Sequence, residues 1–278
     1  MNRFHASLGW LLLTTAMVAA ADPSPPASGG RLGSVVVDWG ARPPRPTGVG
    51  LRRDVFDQPT ATLERIESHV TTLRPGAMSH PPHRHPQEEL IFVRDGRVEV
   101  RINDRVQLAG PGAVLFFASN DRHNLTNVGP GPATYVVFQL TTAATHAASI
   151  PADGVGGTPG VLHSAVFDWP ALAVKATPTG ERREVLDAPT ATLTHLECHV
   201  TTVNPGERPH APHRHPGEEI LVLKEGGLEV EIDGVAHAAG PESVVFFSSG
   251  DRHGLKNVGA KPATYYVVRL ETAATPPP

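Results

Sequence analysis

Along most of this chain, short apolar runs are separated by turn residues. From Arg52 onward the segments TATLERIESHVTTL, RVEVRIN, GAVLFFAS and ATYVVFQL each read as short strands. Turns fall between them at Arg74-Pro75-Gly76, Asp95-Gly96, Asn103-Asp104 and Ala109-Gly110-Pro111-Gly112. A first strand is expected at Ser34 to Trp39 (SVVVDW), ahead of a Pro-rich stretch from Ala41 to Gly48. Outside the N-terminal apolar segment no helical period persists. Many short strands with regular turns predict an all-β sandwich or barrel.

The pattern then repeats. His213 minus His83 is 130, and His253 minus His123 is also 130. The same offset carries PTATL at Pro59 onto Pro189, HVTT at His69 onto His199 and DRH at Asp121 onto Asp251. It also carries Asp38-Trp39 onto Asp168-Trp169. More than half of the positions between Arg52 and Thr145 are identical to their partners. The chain therefore divides into an N-terminal domain (34–146), a linker (147–163) and a C-terminal domain (164–275). The repeat is too long for a solenoid, and each unit is large enough for its own core. Positions that drift between copies, such as Arg94/Lys224, Arg101/Glu231 and Gln107/His237, are expected in solvent. Identical polar positions need a reason.

Residues 1–21 carry an apolar core, Leu8 to Ala20, too short to span a bilayer comfortably, and an A-x-A site before Asp22. They are expected to be a cleaved signal peptide, followed by a Pro/Ser/Gly linker (22–33). The protein is then secreted or periplasmic, with no membrane contact after cleavage. No twin-arginine pair precedes the apolar run, so the metal-free chain would be exported unfolded. A net charge of −4 and the lack of a basic cluster argue against a nucleic-acid partner. The single cysteine, Cys198, excludes an intrachain disulfide and a thiolate metal cluster. It aligns with Ser68, which marks it as a small buried filler and not a nucleophile.

The most informative stretch is His-Arg-His-Pro, present once per unit. It reads PPHRHPQEELIFVRDG from Pro81 and APHRHPGEEILVLKEG from Ala211. In an extended strand residues i and i+2 face the same way, so His83 and His85 converge and Glu89 keeps their parity. Neutral imidazoles with a carboxylate suit a divalent transition metal. By the same parity Glu88 and Glu218 point the other way, and solvent is their expected environment. Arg84 and Arg214 share that face, where they either pair with those glutamates, the favoured reading, or reach a substrate anion at a rim.

These motifs resemble the cupins, and the whole chain resembles a bicupin. The family's first motif, G(X)5HXH(X)3,4E(X)6G, is matched by Gly76, His83, His85, Glu89 and Gly96, and again by Gly206, His213, His215, Glu219 and Gly226. One extra residue stands between the first Gly and the first His in both copies. The second motif, G(X)5PXG(X)2H(X)3N, runs from Gly110 to His123 and Asn127, and from Gly240 to His253 and Asn257, with a longer interval. Ala118 and Ser248 replace its Pro, and Asn120 stands where Gly250 keeps its Gly. Asn tolerates the left-handed turn, so the turn is expected in both copies.

The resemblance implies two tandem cupin barrels of jelly-roll, or double-stranded β-helix, type. It implies metal ligands His83, His85, Glu89 and His123 in one barrel, and His213, His215, Glu219 and His253 in the other. Each barrel would hold one divalent ion, with Mn or Fe favoured over Zn or Ni. Three His and one carboxylate leave open coordination positions, as a Lewis acid or dioxygen site needs. Cupins of this kind include oxalate-decarboxylase-like, quercetinase-like and ureidoglycine-aminohydrolase-like enzymes, which act on small oxygen-bearing substrates. The tryptophan associated with oxalate decarboxylases between the ligand histidines is absent, and Arg84 and Arg214 stand there. The other reading is a non-catalytic binder of a small ligand or metal. A monomer suffices, since a bicupin mimics a dimer of single cupins; a homo-oligomer is the alternative.

Four further pairs bear on the chemistry. His69 and His199, each two residues after a glutamate (Glu67, Glu197), are candidate general bases if that strand face lines the cavity. His80 and His210 lie in the loop before the first ligand, either at the barrel mouth or on the surface. Of Phe116-Phe117 and Phe246-Phe247, one ring is expected in the core and the other at the partner sheet or cavity mouth.

Overall fold

The computed structural model describes residues 30–147, 150–154 and 159–277. The expected signal peptide (1–21) and most of the first linker lie outside the described residues. Among the described residues no helix is long and apolar enough to cross a membrane.

The first half contributes ten strands: β1 (Val35–Asp38), β2 (Arg45–Pro46), β3 (Gly50–Gln58), β4 (Arg65–Leu73), β5 (Glu88–Asp95), β6 (Val98–Ile102), β7 (Arg105–Ala109), β8 (Val114–Phe117), β9 (His123–Asn127) and β10 (Ala133–Thr141). The second half repeats them as β11 (Ala165–Phe167), β12 (Val174–Thr177), β13 (Gly180–Ala188), β14 (His195–Val203), β15 (Glu218–Glu225), β16 (Leu228–Ile232), β17 (Val235–Ala239), β18 (Ser243–Phe247), β19 (His253–Asn257) and β20 (Ala263–Glu271). The expected all-β architecture is what the chain adopts.

Each half folds a seven-stranded sheet against a three-stranded one, and all pairings are antiparallel. The large sheet of the first half runs β11-β8-β5-β10-β4-β3-β2 and faces β7-β6-β9. The second runs β1-β18-β15-β20-β14-β13-β12 and faces β17-β16-β19. The opening strands are exchanged. Val35 of β1 pairs with Phe246, and Ala165 of β11 pairs with Phe116. The strand that begins each unit in sequence thus closes the large sheet of the other.

Three cores result. One fills each sandwich: Ile91, Val98, Val100, Phe117, Leu125 and Val137 in the first, and Leu221, Leu228, Val230, Phe247, Leu255 and Val267 in the second. The third lies between the backs of the two large sheets, where Ile66, Leu90, Phe92, Phe116 and Phe138 meet Leu196, Cys198, Ile220, Phe246 and Val268. The central strands of the large sheets are therefore buried on both faces, which is why β8 reads VLFF without a polar interruption. β6 meets a core on one side only and alternates, VEVRI.

This arrangement corrects two expectations. Glu88 and Glu218 do point away from the barrel interior, but that face is packed on the other half, and both are 0 % exposed. Arg84 and Arg214 are exposed and do not pair with them; Arg214 donates to the Gly250 carbonyl at 3.3 Å. Cys198 is fully buried in the shared core, and burial raises its thiol pKa well above the ordinary value, as suits an inert filler.

Candidate metal centres

The two histidines of each HRH motif precede the strand and are not part of it, since β5 begins at Glu88 and β15 at Glu218. Backbone pairing still aims them inward. His83 and His123 form an antiparallel bridge in which each amide donates to the other's carbonyl, at 3.2 and 3.0 Å. His213 and His253 do the same at 2.9 and 3.0 Å. Directly opposed residues of such a pair project to one face. The next turn is tied back by Asn120 N donating to the His85 carbonyl at 2.9 Å and Gly250 N to that of His215 at 3.0 Å. Asn120 (φ 61°) and Gly250 (φ 80°) both take the left-handed conformation anticipated for this turn.

The result is a three-histidine cluster in each barrel. One ring nitrogen each from His83, His85 and His123 lies within 4.8 Å of the others, and so does the set His213, His215 and His253. The expected carboxylate ligands lie beside these groups: His85 Nε2 is 3.4 Å from Glu89 Oε2, and His215 Nε2 is 3.3 Å from Glu219 Oε2. His253 Nε2 lies 4.0 Å from Glu219 Oε1.

Partners on the far side fix the tautomers. A carbonyl can only accept, so a ring nitrogen facing one carries the proton and leaves the other with its lone pair. His85 Nδ1 donates to the Gln87 carbonyl at 3.0 Å, and His123 Nδ1 to that of Asp121 at 2.8 Å. His215 Nδ1 and His253 Nδ1 donate to Gly217 and Asp251 at 2.8 and 2.9 Å. Phe117 stacks on His123 and Phe247 on His253, each at 4.2 Å, which holds the rings flat. Of each Phe pair, then, the second ring supports a candidate ligand and the first fills the core between the halves.

The electrostatics suit a cation. Burial, reinforced by the neighbouring imidazoles, pushes the pKa of His83 and that of His213 down to about 4. Burial also lowers His123 and His253. Against the opposing effect of burial, the close contact with His85 and the nearby imidazoles hold Glu89 down to about 2; Glu219 is lowered in the same way. Burial would lower His85 too, but its contact with Glu89 outweighs that and raises it. Among the described residues, the buried nitrogens His83 Nδ1, His85 Nε2 and His123 Nε2 have no hydrogen-bond partner, nor have His213 Nδ1 and His253 Nε2. Buried polar atoms left unpaired are costly, and several around one point fit a bound cation.

His69 and His199 lie on the inward faces of β4 and β14. His69 sits opposite Val137, which itself opposes Ile91 of the barrel core. Its Nδ1 donates to Glu67 Oε1 at 2.9 Å, and Arg52 Nη2 holds the same oxygen at 2.5 Å. His199, Glu197 and Arg182 repeat the chain at 2.5 and 2.8 Å. Glu67 and Glu89 flank the same residue, Gln139, in neighbouring strands. His80 and His210 lie at the mouth, with their rings 3.9 and 4.5 Å from those of His83 and His213.

Gln139 was not singled out in the sequence. Its Nε2 donates to Glu89 Oε2 at 3.0 Å. Arg269 holds the equivalent place beside Glu219, and turns instead to Glu271 Oε1 at 2.6 Å. The available signal was a difference between the copies at a position sharing strand parity with the inward residues.

The sequence profile described as Cupin domain matches residues 69–139 and 199–269, which together make up half of the chain. The chain belongs to the cupin family, as a tandem cupin. No curated protein matches it in sequence. Among solved structures it resembles a point mutant of Bacillus subtilis oxalate decarboxylase OxdC, at 16% identity and a TM-score of 0.64, covering 89% of this chain and 80% of that one. The Lactobacillus farciminis oxalate decarboxylase formate complex matches at 16% and 0.64, covering 87% and 88%. AerE from Microcystis aeruginosa matches at 15% and 0.61, covering 82% and 97%. Identities this low establish a shared fold. With a histidine-rich group in each domain, this is a metal-binding cupin, one divalent ion to a domain.

Proposed function

We propose that the protein is an exported, metal-dependent enzyme acting on a small anionic, oxygen-bearing substrate. A decarboxylase-like reaction and manganese are the first to test. The observation that carries the reading is the set of buried imidazole nitrogens, unpartnered among the described residues, beside a glutamate whose pKa is lowered, present in both barrels. Support for the choice of ion and substrate comes from the structural neighbours, which include work on the Mn(II) centres of Bacillus subtilis oxalate decarboxylase.

His83, His85, Glu89 and His123 would hold one ion, and His213, His215, Glu219 and His253 the other. A bound divalent ion supplies a Lewis acid that neutralises a substrate carboxylate. The remaining work falls to the protein. The carbonyls of Gln87 and Asp121 keep the Nε2 lone pairs of His85 and His123 turned inward. His69 Nε2 accepts a proton from the substrate, while Glu67, itself fixed by Arg52, stabilises the imidazolium that forms.

The test begins with elemental analysis of the mature protein purified without chelator, alongside His83→Ala and His213→Ala. Two ions per chain, with each variant losing one, is the expected result. Carbon dioxide release from small dicarboxylates and oxygen consumption are then screened. The double variant His69→Ala/His199→Ala should keep both ions and lose about 100-fold in turnover, the lower end of what a general base contributes. Unchanged turnover would remove His69 and His199 from the mechanism. A metal-free protein would sink the enzyme reading, and full metal without turnover on any substrate class would leave a binding module.

A further inference from the structure

Each candidate centre takes its four proposed ligands from its own half of the chain, yet two of the anchors behind those ligands come from the other half. In the first barrel the anchor is Ser164, and the residue anchored is Asp121. Its carbonyl accepts from His123 Nδ1, and its carboxylate Oδ2 accepts from Ser164 Oγ at 2.5 Å. Ser164 Oγ in turn accepts from Ala118 N at 2.8 Å, so one hydroxyl pins both ends of the loop 118–121. Ser164 stands just before β11, the exchanged strand, and is 3 % exposed. The second barrel repeats the device: Ser34, just before β1, donates to Asp251 Oδ2 at 2.6 Å and accepts from Ser248 N at 2.9 Å.

The second anchor sits behind the carboxylate ligand. Glu88, the residue before Glu89, accepts from Thr190 Oγ1 at 2.5 Å, Thr192 Oγ1 at 2.6 Å and Ala191 N at 3.1 Å. Glu218, before Glu219, accepts from Thr60 Oγ1 at 2.8 Å, Ala61 N at 3.0 Å and Thr62 N at 3.2 Å. Neighbours in a strand share a rigid backbone, so clamping Glu88 from behind fixes where Glu89 points inside.

We infer that each metal centre is positioned by the opposite half of the chain, with Ser164 a positioning residue for the His83/His123 site and Ser34 for the His213/His253 site. The inference rests on the metal reading above. Its physical content is that a ligand's donor angle is set by the atom behind it. Losing a ligand's direct partner typically costs about 10–100-fold in metal affinity; the serine, one bond further out, holds the residue that supplies that partner. The exchange of β1 and β11 delivers the serine, so the affinity of one barrel depends on the start of the other unit.

Mn2+ binding to the full chain tests this by calorimetric titration and by the electron paramagnetic resonance fine structure of the bound ion. His213→Ala isolates the first site and His83→Ala the second. In the first background Ser164→Ala should weaken Mn2+ binding by up to about ten-fold and alter the fine structure, while Ser34→Ala leaves both unchanged. In the second background the two serine variants should exchange effects. A loss that falls on both sites alike would mean general loosening of the fold, and would overturn the inference, as would no loss at either. Ser34 is the more exposed of the two, so if Ser164→Ala does not fold, the second background decides alone. Failure of the parent single variants to bind Mn2+ would instead refute the metal reading itself.

Discussion

The two barrels carry the same set of donors in different surroundings. In the first, the amide of Gln139 ties the carboxylate of Glu89, the proposed ligand. In the second, Arg269 leaves Glu219 for Glu271, and Glu219 leans on His215 alone for a close contact. Gly217 makes room for that arginine: a Cβ there would lie 3.0 Å from Arg269 Nε, and the first barrel has Gln87 at the matching place. The first site is thus more tightly braced. The second has a cation at its edge, with Nε buried and unpartnered. Duplication held the donor set fixed while the atoms around it diverged, which is how one scaffold comes to hold two sites of unequal character.

The largest test of that contrast is the brace itself. Gln139→Ala should weaken Mn2+ binding at the first site by about ten-fold, within the range for a lost partner behind a ligand. Arg269→Ala should leave Mn2+ affinity at the second site unchanged and raise KM for an anionic substrate. Titration of each variant with the other barrel silenced checks both halves, and equal effects on metal affinity would erase the distinction.

The next test asks what the barrels share. His83 and His213 titrate near 4 in the folded, metal-free protein, against 6.5 for a free histidine. Between those values the unfolded chain binds protons that the folded chain refuses, so stability falls as pH drops from about 6.5 to about 4. Glu89 adds a further loss from 4.5 down to about 2, because its folded value is depressed. Urea unfolding of chelated protein across this range should show the decline, and the double variant His83→Ala/His213→Ala should flatten its upper part.

The smallest effect compares the two threonine clamps. Thr192 Oγ1 donates to Glu88 at 2.6 Å, whereas Thr62 Oγ1, beside Glu218, falls short of a hydrogen bond. Thr192→Val should therefore cost about 1–2 kcal/mol in urea unfolding, and Thr62→Val close to nothing. If the two cost the same, the clamps are equivalent despite their different hydrogen bonds.

Much of this was legible before the fold was known. Strand content followed from short apolar runs between Gly and Pro turns. The inward set His83, His85 and Glu89 followed from local spacing, and the repeat at constant offset doubled every reading. Other features were hidden because they depend on which surface lies opposite. Parity correctly sent Glu88 away from the cavity, yet no local pattern reveals that Thr190 and Thr192, about a hundred residues on, wait there. SVVVDW reads as a strand, but nothing in it says that its partner is Phe246 and not a strand of its own unit.

The sequence by itself determined the strands and the spacing of the HRH histidines, which depend on residues a few positions apart, and the duplication, which a constant offset of 130 residues exposes. The tertiary structure decided the exchange of β1 and β11, the burial of Glu88 and Glu218, and the different bonds of Gln139 and Arg269. Those outcomes depend on packing two sheets back to back, and the energy of a buried polar group is set by its partner across the interface, not by its neighbours in the chain.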